Sequence, residues 1–348
     1  MLAAAQACDE LILASIYLRQ LPIARRSLPG SAGAGSCRDH RRYDGPAMNV
    51  QLLHAVRRFA ESNADEDGIA RAPIPGLSVV RATRPSGLDY AISRPLVCLL
   101  LQGSKRVTTG SSALAFNAGD SLLITADVPT ISQITHANVS APYLSLILDV
   151  DVRLTTDLAM SMKAAPPASG AHVRIERTDE ELAGAALRLM RLIERPGALP
   201  ILKTQLLREM HYWLLAGRHG PAMRKLGLPG GHLQRVARAV AVLRAEYTSP
   251  LPVERLAAAA DMSPSSFYQH FREVTSLSPL QFQKQLRLIE ARRLMMTDGI
   301  SARSAAFAVG YESVPQFTRE YHRKFGRPPV QDVSNLKRAA DAAAGAGT

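Results

Sequence analysis

The sequence predicts an α+β chain: an N-terminal antiparallel β-barrel, a helical connecting segment, and an all-α C-terminal part duplicated within itself. Three observations carry that reading. Short apolar runs spaced by turn residues fill residues 77–148, helical periodicity replaces them afterwards, and the C-terminal third matches itself at an offset of 50 residues. The 348 residues suggest two or three domains, and a hydrophobic content of 47% supplies material for their cores.

In chain order, the first 47 residues stand apart. Leu11–Leu18 is apolar but short, and Asp9 and Glu10 precede it where a secretory signal carries basic residues. Met48 opens an amphipathic run with Leu52, Val56 and Phe59 at helical spacing, so residues 1–47 are expected to be a disordered or non-native extension. The β-like runs are Leu77–Val80, Leu96–Leu101, Lys105–Thr109, Ala113–Phe116, Ser121–Thr125, Thr130–Ile134 and Tyr143–Leu148. Gly103, Gly110–Ser112, Asn117–Asp120 and Pro129 punctuate them. That spacing suggests a small barrel or double-sheet roll, within an expected domain of residues 48–165.

After Asp149 the strands are expected to stop. Pro166–Gly170 reads as a linker, and Thr178 with Glu181 as a capping-box start. A helix lined by Leu182, Ala186, Leu189 and Ile193 and a second over Ile201–Ala216 follow, ended by Pro196 and Gly220–Pro221. Residues 166–231 are therefore a helical linker or dimerisation segment. The helices from His232 form a domain of residues 232–338, and residues 339–348 are an expected disordered tail.

Charge singles out that last domain. The chain carries 42 Lys+Arg against 30 Asp+Glu, a net charge of +12, of which residues 232–338 hold +7. Such a concentration fits a polyanion better than a membrane surface. No stretch of about 18 uncharged apolar residues exists. Cys8, Cys37 and Cys98 form no Cys-x-x-Cys pair, which argues against a disulfide framework or zinc ribbon and fits the cytoplasm.

The duplication gives the charge a scaffold. At the offset of 50, Ser263 falls on Ser313, Phe267 on Phe317, Phe271 on Tyr321, Pro279 on Pro329, Gln281 on Gln331 and Ala260 on Gly310. Each copy reads as a short apolar helix, a tight break, a Ser N-cap with Pro in the first turn, and a helix with aromatics at i and i+4. That is the layout of a helix-turn-helix, whose second helix enters the DNA major groove. With the aromatics turned inward, the first copy presents Ser265, Tyr268, Gln269 and Arg272, and the second Gln316, Thr318, Arg319 and Arg323. Gln is suited to adenine, and Arg319 to guanine. Leu280–Met296 would be the helix that fixes the two units relative to each other.

Residues from about Gln234 to Asp332 resemble the DNA-binding domain of AraC/XylS-type transcription regulators. The stretches that carry the likeness are LPVERLAAAADMSPSSFYQHF, SPLQFQKQLRLIEARRLM, and VGYES followed by QFTREYHRKFGRPP. LVCLLLQGSKRVTTG, FNAGDSLLITADVP and APYLSLILDVD resemble the N-terminal module of one branch of that family. The resemblance implies a cupin-like effector-binding or dimerisation domain, a helical linker and a two-unit reader of double-stranded DNA. It further implies a cytoplasmic regulator able to answer a small molecule, contact RNA polymerase and form a homodimer, whether as an activator or a repressor being left open by the sequence. Two departures stand out. Ser276 occupies a helix C-terminal position where the family commonly has Gly, and Val314 separates Ser313 from Pro315.

The alternatives are a cupin-like enzyme with an accessory helical domain, and a basic protein that binds nucleic acid without sequence preference. The enzyme needs a metal cluster or catalytic dyad, and the β-rich region offers only His136, with Asp120 and Asp127 nearby. No catalytic motif appears, so neither catalytic residues, metal nor cofactor is expected. Cys98, inside an apolar run, reads as inert packing. The runs Leu96–Leu101 and Leu144–Leu148 either line an effector pocket or fill the barrel, and Arg94, Lys105 and Arg106 read as a solvated turn.

Overall fold

The structure, a computed structural model, describes residues 47–110, 112–162 and 172–344. Residues 1–46 of the expected extension, the Pro166–Gly170 linker and residues 345–348 of the expected tail lie outside the described residues, whereas Ala47 opens a helix and residues 339–344 continue one instead of a disordered tail.

Helix α1 (Ala47–Asn63) precedes nine strands: β1 (Ile69–Arg71), β2 (Leu77–Ala82), β3 (Asp89–Ser93), β4 (Leu96–Gln102), β5 (Ser104–Thr109), β6 (Ser112–Asn117), β7 (Asp120–Ile124), β8 (Val128–His136) and β9 (Tyr143–Asp149). Helix α2 (Val152–Ser161) and a tenth strand, β10 (Val173–Arg177), follow. The strands form a six-stranded sheet, ordered β1-β2-β9-β4-β7-β10, and a four-stranded sheet, ordered β3-β8-β5-β6. Every pairing is antiparallel.

Of the small barrel or double-sheet roll expected, the structure is the double-sheet roll, because the two sheets share no ladder. The chain changes sheets at Gly103, between register shifts at Leu100/Gln102 and Ser104/Lys105. Gly103 has φ +87°, and a Cβ there would stand 2.6 Å from the His136 carbonyl oxygen, so only glycine makes this bend.

β4 and β9 read as unbroken apolar runs because they are central in the larger sheet, with α1 packed over them. β8 alternates buried and half-buried residues along most of its length, as a strand with one covered face does. The strands do not stop at Asp149: β10 pairs with β7 from Val173↔Ile124 to Arg177↔Asp120.

Three helices connect this part to the C-terminal third: α3 (Glu180–Ile193), α4 (Leu199–Ala216) and α5 (Gly220–Leu226). The N-cap of α3 is Asp179, not Thr178, and its carboxylate accepts no bond from the helix end. It accepts instead from the backbone and guanidinium of Arg218, at 3.0 and 2.9 Å, which ties the start of α3 to the end of α4. Gly220–Pro221 opens α5 rather than ending a helix, with Pro in the first turn where its missing N–H costs nothing. Buried His211 on α4 accepts from the Asp151 backbone N–H through Nε2 (2.9 Å), and its Nδ1 meets the Leu207 carbonyl oxygen (2.8 Å). Burial pushes the His211 imidazole below its usual range.

Seven helices complete the chain: α6 (His232–Glu246), α7 (Val253–Ala259), α8 (Pro264–Thr275), α9 (Pro279–Thr297), α10 (Ala302–Ala308), α11 (Val314–Phe325) and α12 (Pro329–Ala344). One apolar cluster runs through both sheets, α1–α6, α7, α8 and the first part of α9. A second, separate cluster joins α9, α10 and α11. Among the described residues no helix is long and apolar enough to cross a membrane.

Candidate nucleic-acid interface

Each copy of the duplication folds as the spacing predicts. In the first, α7 supports α8, and Ser263 caps α8 by accepting from the Ser266 N–H at 3.3 Å. Phe267 and Phe271 are fully buried, with ring centres 5.3 Å apart, and Phe271 meets Phe282 edge-on at 5.5 Å. In the second, α10 supports α11, and Ser313 accepts from the Gln316 N–H at 3.4 Å. Phe317 and Tyr321 are equally buried, 5.5 Å apart, and Tyr311 stands edge-on to Phe317 at 5.3 Å. Pro315 sits in the first turn of α11, so the intervening Val314 displaces the proline without breaking the helix.

With the aromatics inside, the opposite faces are open. Ser265, Tyr268, Gln269 and Arg272 on α8 and Gln316, Arg319 and Arg323 on α11 are exposed, while Thr318 is half-buried. The three arginines have no carboxylate partner among the described residues. Gln316 is less free: its amide donates to Glu320 at 3.4 Å. Glu320, one residue past Arg319, was not expected on this face. It accepts from Lys284 and from the Tyr311 hydroxyl, each at 2.8 Å. Burial alone would raise the Glu320 carboxyl, but the bonds from Lys284, Tyr311 and Gln316 outweigh it and hold it below the ordinary range. That carboxylate therefore stays ionised and orients Gln316.

Arginines also brace the turns, a role their spacing did not signal. Arg235 donates to the Asp261 carbonyl at 2.8 Å, and Arg238 to those of Ala259 and Ala260 at 3.0 and 3.2 Å, satisfying the C-terminal end of α7. Arg287 on α9 does the same between the units, donating to the carbonyls of Tyr247 (2.6 Å), Gly310 (2.9 Å) and Thr248 (3.0 Å). Gly310 (φ +85°) comes so close to Thr248 that a Cβ would lie 1.9 Å from its carbonyl oxygen. Near the start of α6, His232 stacks on His270 of α8, with ring centres 3.5 Å apart.

In the β-rich part, the residues weighed as metal ligands are engaged elsewhere. Asp120 accepts from Arg177 and the Asn117 N–H, Asp127 accepts from Arg244, and His136 is exposed. A small cavity between the two sheets is lined by Leu96, Cys98, Phe116, Leu122, Ile147 and, from β3 and β5, Asp89 and Lys105. Lys105 is thus a wall of the cavity and not part of a solvated turn, while Arg106 points to solvent. Burial raises the Asp89 carboxyl to about 7 despite the charges of Lys105 and Arg292. Cys98 is buried, with its thiol pushed up by the same cause.

Comparison with known proteins agrees with this geometry in both halves. Residues 73–222 match the AraC-type transcriptional regulator N-terminus, and residues 256–333 match a helix-turn-helix domain. The chain belongs to the AraC-type transcriptional regulators. A relative, the HTH-type transcriptional regulator GbdR of Pseudomonas aeruginosa, is 30% identical over 109 residues, covering 31% of this chain and 29% of GbdR. The RCS-specific activator RclR of Escherichia coli is 38% identical over 88 residues, covering 25% of this chain and 31% of RclR. The matched segment thus spans only about a third of these relatives. In three dimensions, apo ToxT from Vibrio cholerae aligns with 76% of this chain and 100% of its own, with a TM-score of 0.50 and 8% identity, a likeness of fold.

Proposed function

We propose that this AraC-type chain is a sequence-specific DNA-binding transcription regulator whose α8 and α11 enter successive major grooves. The observation that supports it is the pair of Ser-capped helices, each with two aromatics buried and an open face of Ser, Tyr, Gln, Thr and Arg. On this reading Gln269, Gln316, Thr318 and Arg319 address base edges, with Ser265 and Tyr268 beside them. Arg272, Arg323 and the surrounding positive charge bind phosphates and make affinity steeply salt-dependent. A small-molecule effector would have to widen the cavity between the sheets, which as it stands has room for about one water and where Asp89 and Lys105 offer charge within apolar walls. The exposed Ile201, Leu202 and Tyr212 on α4 support a homodimer formed through the helical segment.

Selection of bound sites from random DNA by the purified full-length protein tests the reading. Two short half-sites about one helical turn apart are expected, and enrichment without a common sequence would sink it. Arg319→Ala should then weaken binding to the selected site by about 1–3 kcal/mol and relax one base position, as measured by titration against single-base variants. Equal loss on random DNA would mean that the side chain meets phosphate only.

A further inference from the structure

Strand β3 touches the second helix-turn-helix unit and α6, the helix whose Arg235 and Arg238 brace the first. Its Tyr90 ring meets Phe325 edge-on, with centres 5.0 Å apart, and lies 5.4 Å from both the Arg292 guanidinium and the Lys324 ammonium. Phe325 and Lys324 end α11, the second recognition helix. Arg292 is fixed in turn by Asp332, to which it donates at 2.9 Å, and Tyr321 donates to the same carboxylate oxygen at 2.9 Å. Two residues along β3, the Ile92 carbonyl accepts from Arg244 on α6 at 3.0 Å. Asp127, just before β8, accepts two more bonds from that guanidinium, at 2.7 and 3.1 Å. Arg244 and Asp127 side chains are only 9% and 12% exposed.

The two attachments differ in redundancy. The first unit shares an extended apolar cluster with the β-rich part, so Arg244 is one support among many. The second unit has its own cluster, and among the described residues Tyr90 is the one hydrophobic side chain of the sheets packed against it. Neither attachment covers a reading face: all but Thr318 of the expected contact residues are exposed with β3 in place. β3 therefore supports the units without blocking them.

We propose that Tyr90 is a positioning residue for DNA reading: by seating the end of α11 on the strand that also holds α6, it fixes the offset between the two recognition helices. This rests on the two-groove reading above. A bivalent reader gains affinity only when its second site finds the DNA already in register. α9 joins the units, and Tyr90 adds a second point of support that removes freedom about it.

The test compares wild type, Tyr90→Ala and Tyr90→Phe on the selected two-half-site DNA, on single half-sites, and on sites with one base pair added to or removed from the spacer. Tyr90→Ala should bind the full site about three- to tenfold more weakly, the scale of one aromatic contact, and lose preference for the native spacing. Single half-site affinity should stay unchanged, and Tyr90→Phe, which keeps the ring, should behave as wild type. An unchanged spacing preference, or equal loss on single half-sites, overturns the proposal. Hydrogen exchange without DNA separates this from failure of the functional reading: Tyr90→Ala should speed exchange in α10–α12 and leave α7 and α8 unchanged. Unaltered exchange in α10–α12 overturns the brace whatever the DNA does.

Discussion

The two helix-turn-helix units have the same outline and different interiors. In the first, Phe271 rests on Phe282, and the contact is wholly apolar. Fifty residues on, the same two positions are Tyr321 and Asp332, and the contact is a hydrogen bond shared with buried Arg292. The first interior merges with the core of the β-rich part, whereas the second closes largely on itself. A duplicated fold can thus be held by either chemistry. An apolar pair tolerates loss in proportion to the cavity left, while a buried ion pair is costly to break from one side because the surviving charge has no partner.

The largest expected effect breaks each interior at that pair. Phe282→Ala should destabilise by about 3–5 kcal/mol and loosen the sheets as well, since they share its cluster. Asp332→Ala should cost a similar amount, about 3–5 kcal/mol, with the faster hydrogen exchange confined to α9–α12. Loosening of the β-rich part by Asp332→Ala would show that the two clusters are not independent.

A smaller effect lies in pH. Burial lowers the Lys324 ammonium to about 8, below its ordinary value of 10.5. Between those values the unfolded chain holds the extra proton, so stability of the second unit should rise with pH from about 8 toward 10. Below pH 8 the lysine is charged in both states and its contribution is flat. Lys324→Met should abolish the rise in denaturant midpoints, and its persistence would assign it to another group.

The smallest effect sharpens the comparison at one equivalent position. Ser276 and Gly326 both adopt the left-handed conformation, with φ +61° and +75°. Ser276→Gly should stabilise the chain and Gly326→Ala destabilise it, each by about 1 kcal/mol in urea titrations. Equal and opposite shifts would show that backbone strain, and not side-chain contact, sets the difference.

Much of this was legible in the sequence because it is local. Caps, prolines and aromatics at i and i+4 repeat in the chain itself, so the repeat exposed both units and the faces opposite Phe267 and Phe317. Seven strands were legible as apolar runs between turn residues. β3, DYAIS, was not, because its side chains answer to distant partners: Asp89 lines the cavity, Tyr90 meets α11 and Ile92 fills the core. β10 follows a linker and pairs with β7 some fifty residues earlier, and nothing in VRIER announces that. Asp179 displaced Thr178 as the cap for the same reason, being claimed by Arg218. Glu320 shows the limit within the site, since helical spacing places it beside Arg319 but cannot show Lys284 and Tyr311 arriving from α9 and the α10–α11 turn.

The bend at Gly103 has an effect two residues beyond it. Successive side chains of a strand face opposite ways, so the number of residues spent in turning the corner decides which of Lys105 and Arg106 enters the cavity. A single insertion or deletion between Gly103 and Lys105 would turn them to opposite faces without substituting either residue. The electrical character of the chamber is therefore encoded in the length of a corner.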